Sequence, residues 1–134
     1  EINLVNEKNN GLAVLKLIKD SLALSAHDVS SGGILVSLAE MSIFSGLGLK
    51  IYKPKKLVNS FEYFFGEDQG RYLIEISKNS LKKVEIFFKK NNVFFEVVAE
   101  VQNDIFEIEK TFALKTKDLH NHNNQWYSKY NAIN

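Results

Sequence analysis

The spacing of apolar residues changes along this chain, and that change restricts the fold more than any other feature. Leu12, Leu15, Ile18 and Leu22 recur every three or four residues, the repeat of a helix with one buried side. Phe95, Val97, Ala99 and Val101 recur every second residue, with Glu96 and Glu100 between them, the repeat of a strand with one wet face. A chain that carries both periods packs helices against a sheet.

The first period predicts a helix over about residues 6–22, whose end runs into the apolar stretch Leu22-Ala23-Leu24-Ser25-Ala26. A second helix fits residues 34–44, with Ile34, Leu35, Leu38, Ala39 and Met41 on its buried side and Gly46 and Gly48 closing it. Residues 47–52 and 72–76 have strand patterns. Pro54 suits the first turn of a third helix, because the amide hydrogen it lacks has no helical acceptor there. Leu57, Phe61, Phe64 and Phe65 would give that helix an aromatic core face. Ser80 is placed to cap a fourth helix bearing Leu81, Val84, Phe87 and Phe88, with Asn91-Asn92 closing it. Asn103-Asp104 is a turn signal, and it predicts a hairpin returning with Phe106, Ile108, Phe112 and Leu114 on one face. Trp126, Tyr127 and Tyr130 are expected to pin a short final helix. The expectation is a single α+β domain over residues 1–134, a mixed sheet with helices packed on one face.

At 134 residues and 45% apolar, the chain can supply a core. Its formal charge of +1, with both signs interspersed, gives no field that would draw it to nucleic acid or an anionic membrane. Lys53, Lys55 and Lys56 read as a solvated cluster around Pro54. No apolar run approaches the roughly 20 residues that span a bilayer. With no cysteine there is no disulfide framework, thiolate metal site or thiol nucleophile, which fits a cytoplasmic location. The chain starts at Glu1 rather than Met, as expected of a piece excised from a longer polypeptide.

Two segments concentrate polar and small residues. Ser25-Ala26-His27-Asp28-Val29-Ser30-Ser31-Gly32-Gly33 joins the first apolar strand to a helix start. The unpaired amides there can hold a phosphate, Gly32 and Gly33 would let it approach, and His27, Ser30 or Ser31 can add hydrogen bonds. The same residues also serve as a plain helix cap with close-packing glycines. Neither the Walker loop nor the dinucleotide fingerprint is present. In Phe65-Gly66-Glu67-Asp68-Gln69-Gly70-Arg71-Tyr72, carboxylates could take magnesium or an amine and Arg71 a phosphate, or the segment is a polar turn with an internal ion pair. His120 and His122 lack a third ligand nearby, so no metal site is expected, and no catalytic set of side chains is apparent.

Residues 25–41, running on through Ile34-Leu35-Val36-Ser37-Leu38-Ala39-Glu40-Met41, resemble the S-A-H-D-V-S-D-G-G-L-A-V-A-L-A-E-M stretch of the large subunit of phosphoribosylformylglycinamidine synthase. Residues 65–71 resemble its F-G-E-S-Q-x-R segment, in the same order and at the same separation. Ser31 stands where that family carries Asp, Asp68 replaces Ser, and Val98-Ala99-Glu100-Val101 replaces an Ile-Gly-Glu-Val-like strand. The resemblance implies the last of four domains, of the AIR synthase-related C-terminal type. The parent enzyme would make an amidine from formylglycinamide ribonucleotide (FGAR), ATP and glutamine-derived ammonia. It further implies no cofactor in this domain, with ATP and Mg2+ bound elsewhere in the parent. The implied partners are the remaining synthase domains, a glutaminase subunit and a small bridging subunit. His27, Asp28, Ser30, Ser31, Gly32, Gly33, Glu67, Asp68, Gln69 and Arg71 are then a phosphate- or substrate-binding set, functional or vestigial. Two alternatives stay open: a domain of a sibling ATP enzyme, such as selenophosphate synthase, thiamine-monophosphate kinase or a hydrogenase-maturation factor, and a non-catalytic ligand- or protein-binding module.

Overall fold

A computed structural model describes residues 3–54 and 59–132. They form two compact units, one of residues 3–37 with 61–96 and the other of residues 38–54 and 59–60 with 97–132.

In the first unit, α1 (Leu4–Lys19) starts at Asn3, whose side chain accepts the Asn6 amide at 3.1 Å. It stops sooner than the apolar spacing suggests, because Ser21 turns left-handed (φ 54°) and the Leu22 amide bonds back to the Leu17 carbonyl at 2.9 Å. Leu22 packs beside the core instead of extending the helix. β1 (Ala23–Asp28) and β3 (Tyr72–Ile76) pair antiparallel, with Asp28 opposite Tyr72 and Ala26 opposite Ile74. A two-stranded ribbon is marginal alone. Here it is backed by a cluster of Ala13 and Leu17 from α1, Val84 and Phe88 from α4 (Leu81–Lys90), and Val93. Phe95 stacks on Phe88 at 5.3 Å. The cap before α4 is Ser77, which takes the Ser80 amide at 3.3 Å and starts a 3-10 turn over Lys78–Ser80; Ser80 makes no side-chain cap. Asn91 ends α4 as expected, its side-chain amide donating to the Phe87 carbonyl at 2.8 Å.

α2 (Gly33–Ser45) begins in the first unit and ends in the second. Ile34 and Leu38 are buried as expected, but Leu35, Ala39 and Met41 are only partly so. Two serines take the most enclosed positions. Ser37 folds its hydroxyl back to the carbonyls of Gly33 and Asp28, both at 3.2 Å, and Ser42 donates to the Leu47 carbonyl at 2.5 Å. Each hydroxyl is satisfied within its own segment, so burying it costs little.

The expected third helix is shorter than the pattern suggested. Pro54 has no helical assignment, and α3 covers only Ser60–Phe65. Lys55, Lys56 and Leu57 lie outside the described residues. Of the aromatic face, Phe64 is buried, whereas Phe61 and Phe65 stack on each other at 6.2 Å and stay exposed.

The second unit holds the mixed sheet, in the order β4 (Ala99–Gln102), β2 (Gly48–Ile51), β5 (Ile105–Ile108), β6 (Phe112–Lys115). The chain does reverse at Asn103-Asp104, but not as a hairpin. β2 lies between β4 and β5, antiparallel to the first and parallel to the second. Gly48 makes this arch possible: its amide bonds to the Asn103 carbonyl at 2.9 Å, and a Cβ there would sit 2.2 Å from the Ile105 carbonyl oxygen. The true hairpin is β5–β6, turned at Lys110 (φ 56°), which breaks the face that residues 106–114 were expected to share continuously. Leu49, Ile51, Phe106 and Ile108 are the buried apolar side chains of this sheet. α5 (Thr116–Asn131) follows directly from β6 and is longer than expected. Its Trp126, Tyr127 and Tyr130 are all more than half exposed, so among the described residues they do not pin the helix as expected.

Candidate functional site

The register of the β1–β3 ribbon decides which residues meet. Asp28 ends β1 opposite Tyr72, and the next rung, from the Val29 amide to the Arg71 carbonyl, is 2.9 Å. Residues 29–31 and 67–71 therefore leave the same end of the ribbon and line one open cleft of about 380 Å³. Asp28, Ser30, Ser31, Glu67, Asp68, Gln69 and Arg71 all face it. His27, Gly32 and Gly33 do not.

Each of those three has another task. His27 alternates to the opposite side of the strand from Asp28, and its Nδ1 donates to the Asp28 carbonyl at 2.6 Å. Gly32 (φ 82°) gives its amide to the Glu67 carboxylate, Oε1 at 2.7 Å, and any Cβ would collide with Val36. Gly33 (φ 72°) opens α2 where the end of α3 crosses it, and a Cβ would lie 2.7 Å from the Phe64 carbonyl oxygen. The two glycines thus serve a left-handed turn and a close helix–helix approach.

Arg71 is turned inward. Its guanidinium donates to the Gly66 carbonyl and lies 3.5 Å from Asp68 Oδ2, while its Nε is buried without a partner among the described residues. Behind it, the Tyr63 hydroxyl donates to Glu96 Oε1 at 2.5 Å. Burial, and then the Glu96 carboxylate, push the Tyr63 phenol well above its ordinary range; the Arg71 charge opposes this only in part.

Sequence reasoning missed two contributors on α1. Glu7 lines the cleft, and Asn10 donates from Nδ2 to the Gly70 carbonyl at 3.0 Å. Both lie in the polar run Asn6-Glu7-Lys8-Asn9-Asn10 at the start of α1, where nothing in the sequence singles them out from their neighbours.

Electrostatically the cleft does not suit a phosphate. Glu7, Asp28, Glu67 and Asp68 place four carboxylates around one guanidinium, and the amide that would welcome an anion already holds Glu67. The residues present do not fit ATP. Among the described residues, no group of three or more His, Asp or Glu side chains is positioned to hold a metal ion, and no helix is long and apolar enough to cross a membrane. His120 faces Asn124 along α5, at 2.7 Å.

The family model for the AIR synthase related protein, C-terminal domain, matches residues 3–109. The phosphoribosylformylglycinamidine synthase subunit PurL of Pelagibacter ubique is 44% identical over 130 residues, which are 97% of this chain and 18% of that protein. Among solved structures, PurL from Thermotoga maritima complexed with FGAR superposes with a TM-score of 0.74 at 21% identity, over 85% of this chain and 21% of that one. The PurLQS structure from the same organism gives the same score, identity and coverage. The chain thus spans about a fifth of the relatives it matches. Its α+β architecture with a mixed sheet, and the match of the family model to most of its length, show that it belongs to the family of AIR synthase related C-terminal domains.

Proposed function

We propose that this chain works as the C-terminal domain of a phosphoribosylformylglycinamidine synthase, an ATP-dependent ligase of purine biosynthesis acting in the cytoplasm. The observation that carries the reading is the 44% identity to a PurL subunit, maintained over 97% of the chain and not confined to one motif. In the parent reaction ATP would phosphorylate the formyl amide oxygen of FGAR, releasing ADP. Ammonia from a glutaminase subunit would then displace phosphate to leave the amidine, with a small bridging subunit aiding assembly; the PurLQS complex of Thermotoga maritima supports subunits of that kind.

Within this scheme the domain supplies no catalytic group and binds neither ATP nor Mg2+ itself. Its two sequence motifs act on each other: Glu67 closes the start of α2, and the β1–β3 register aligns the loops. The full-length parent chain, given ATP, Mg2+, ammonium and FGAR with each omitted in turn, should release ADP only when FGAR is present. ADP released with a different acceptor would transfer the domain to a sibling enzyme, and no ADP from a folded parent would favour a binding module.

A further inference from the structure

Of the seven glycines, Gly11 alone has neither a positive φ nor a neighbour that an added Cβ would strike; the nearest atom, Tyr72 Oη, would lie 3.7 Å away. A glycine inside a helix costs stability against alanine, and packing does not ask for one here. Gly11 also follows Asn10, and Asn10-Gly11 is the one Asn-Gly pair in the chain. With no side chain on the second residue of such a pair, its amide nitrogen can reach the asparagine Cγ unhindered. The Asn10 amide is meanwhile in use: Nδ2 donates to the Gly70 carbonyl at 3.0 Å and ties α1 to the loop of the cleft.

We propose that Asn10 is a site of spontaneous deamidation, opened by fraying of the start of α1. The Gly11 nitrogen bonds to Asn10 Cγ and gives up its proton, and the side-chain amide leaves as ammonia. Water then opens the cyclic imide, at one carbonyl to aspartate and at the other to isoaspartate. A water enters and an ammonia departs, so no further reactant is needed. An intact helix forbids the attack, because it aims the Gly11 amide at the carbonyl four residues back. The start of α1 is weakly held, however. Its first buried side chain is Ala13, and Leu4 and Val5 are 73% and 68% exposed. A segment with so few core contacts opens locally at small cost. The product cannot remake the latch, since an ionised carboxylate has no donor to offer the Gly70 carbonyl. Isoaspartate also adds a methylene to the main chain, so the helical turn does not close again. The result is a one-way release of the cleft loop from α1.

The test is isoaspartate mapping of the folded full-length polypeptide after incubation in mildly alkaline buffer, read by isoaspartate methyltransferase and peptide mass. Isoaspartate should accumulate at residue 10 ahead of Asn123 and Asn124, which are exposed on α5. Gly11→Ala strengthens the helix, so it does not endanger the fold, and it should slow the reaction about tenfold. Hydrogen exchange at residues 6–11 should quicken in mild urea in step with deamidation, as the same opening governs both. Asn10 left intact in the folded chain, though reactive once unfolded, overturns the proposal, and so does an unchanged rate in Gly11→Ala. Asn10→Asp tests the consequence, and exchange at residues 66–71 should rise while the β1–β3 amides keep theirs. An unchanged pattern, or a rise spread over the whole domain, overturns the release.

Discussion

The Glu67 carboxylate accepts the Gly32 amide hydrogen at 2.7 Å, joining two loops 35 residues apart in sequence. An internal carboxylate therefore occupies the position where a helix start would bind an anion. Replacing Glu67 with Ala should cost about 1 kcal/mol, in the range for losing a helix cap, with water recovering part of the bond because the site is exposed. Glu67→Gln keeps an acceptor and should cost less. Urea denaturation compares the two, and equal losses would show that the hydrogen bond is not what matters.

The glycines differ in what they tolerate. Gly33→Ala meets the α3 backbone at 2.7 Å with φ at 72°, so it should lose about 3 kcal/mol or more. Gly46 has nearly the same φ, 73°, but an added Cβ there would meet nothing within 4 Å, so Gly46→Ala should lose only about 1 kcal/mol. Matched unfolding curves separate close approach from dihedral strain; similar losses for both would contradict the packing role of Gly33.

Tyr63 gives a pH signature. Its phenol is raised by burial and by Glu96, so folding favours the neutral form. The associated stability is present in full below the ordinary tyrosine value of 10.0 and is lost as the pH climbs above it. Tyr63→Phe should remove that alkaline sensitivity while preserving the fold. Thermal melts at pH 9 to 11 check this, and an unchanged slope in the variant would sink it.

Thr116 is 3% exposed, and its hydroxyl has no partner among the described residues, although its amide bonds to the Asp104 carbonyl at 2.9 Å. Thr116→Val keeps the shape and removes an unpaired polar group, so stability should hold or rise by up to about 1 kcal/mol. A loss of similar size, measured by urea denaturation, would mean that the hydroxyl has found a bond after all.

Local patterns carried much of this structure into the sequence. β3 coincides with its predicted range, and α1, α2 and α4 lie where the helical period placed them, because each is set by neighbours within a few residues. Some of what escaped was local: the every-second-residue pattern from Phe95 becomes a strand only at Ala99, with Phe95 packed on the first unit's core, and the cap before α4 is Ser77 and not Ser80. The larger misses were non-local. Nothing near Asn103 indicates that β2, some 50 residues earlier, inserts between β4 and β5, and Gly48 is read as a helix terminator until Ile105 lies against it. The two polar loops were visible as motifs, but their mutual hydrogen bond follows from the β1–β3 register, which pairs residues far apart. Glu7 and Asn10 were overlooked because an N-terminal helix was read only for its apolar face.

The central claim is tested most directly by ADP release from the full-length parent chain with ATP, Mg2+ and ammonium, with and without FGAR. The account predicts ADP formation that depends on FGAR and persists in a Ser30→Ala, Ser31→Ala variant of this domain. ADP formed equally well without FGAR, or lost altogether in that variant while the protein stays folded, would contradict it.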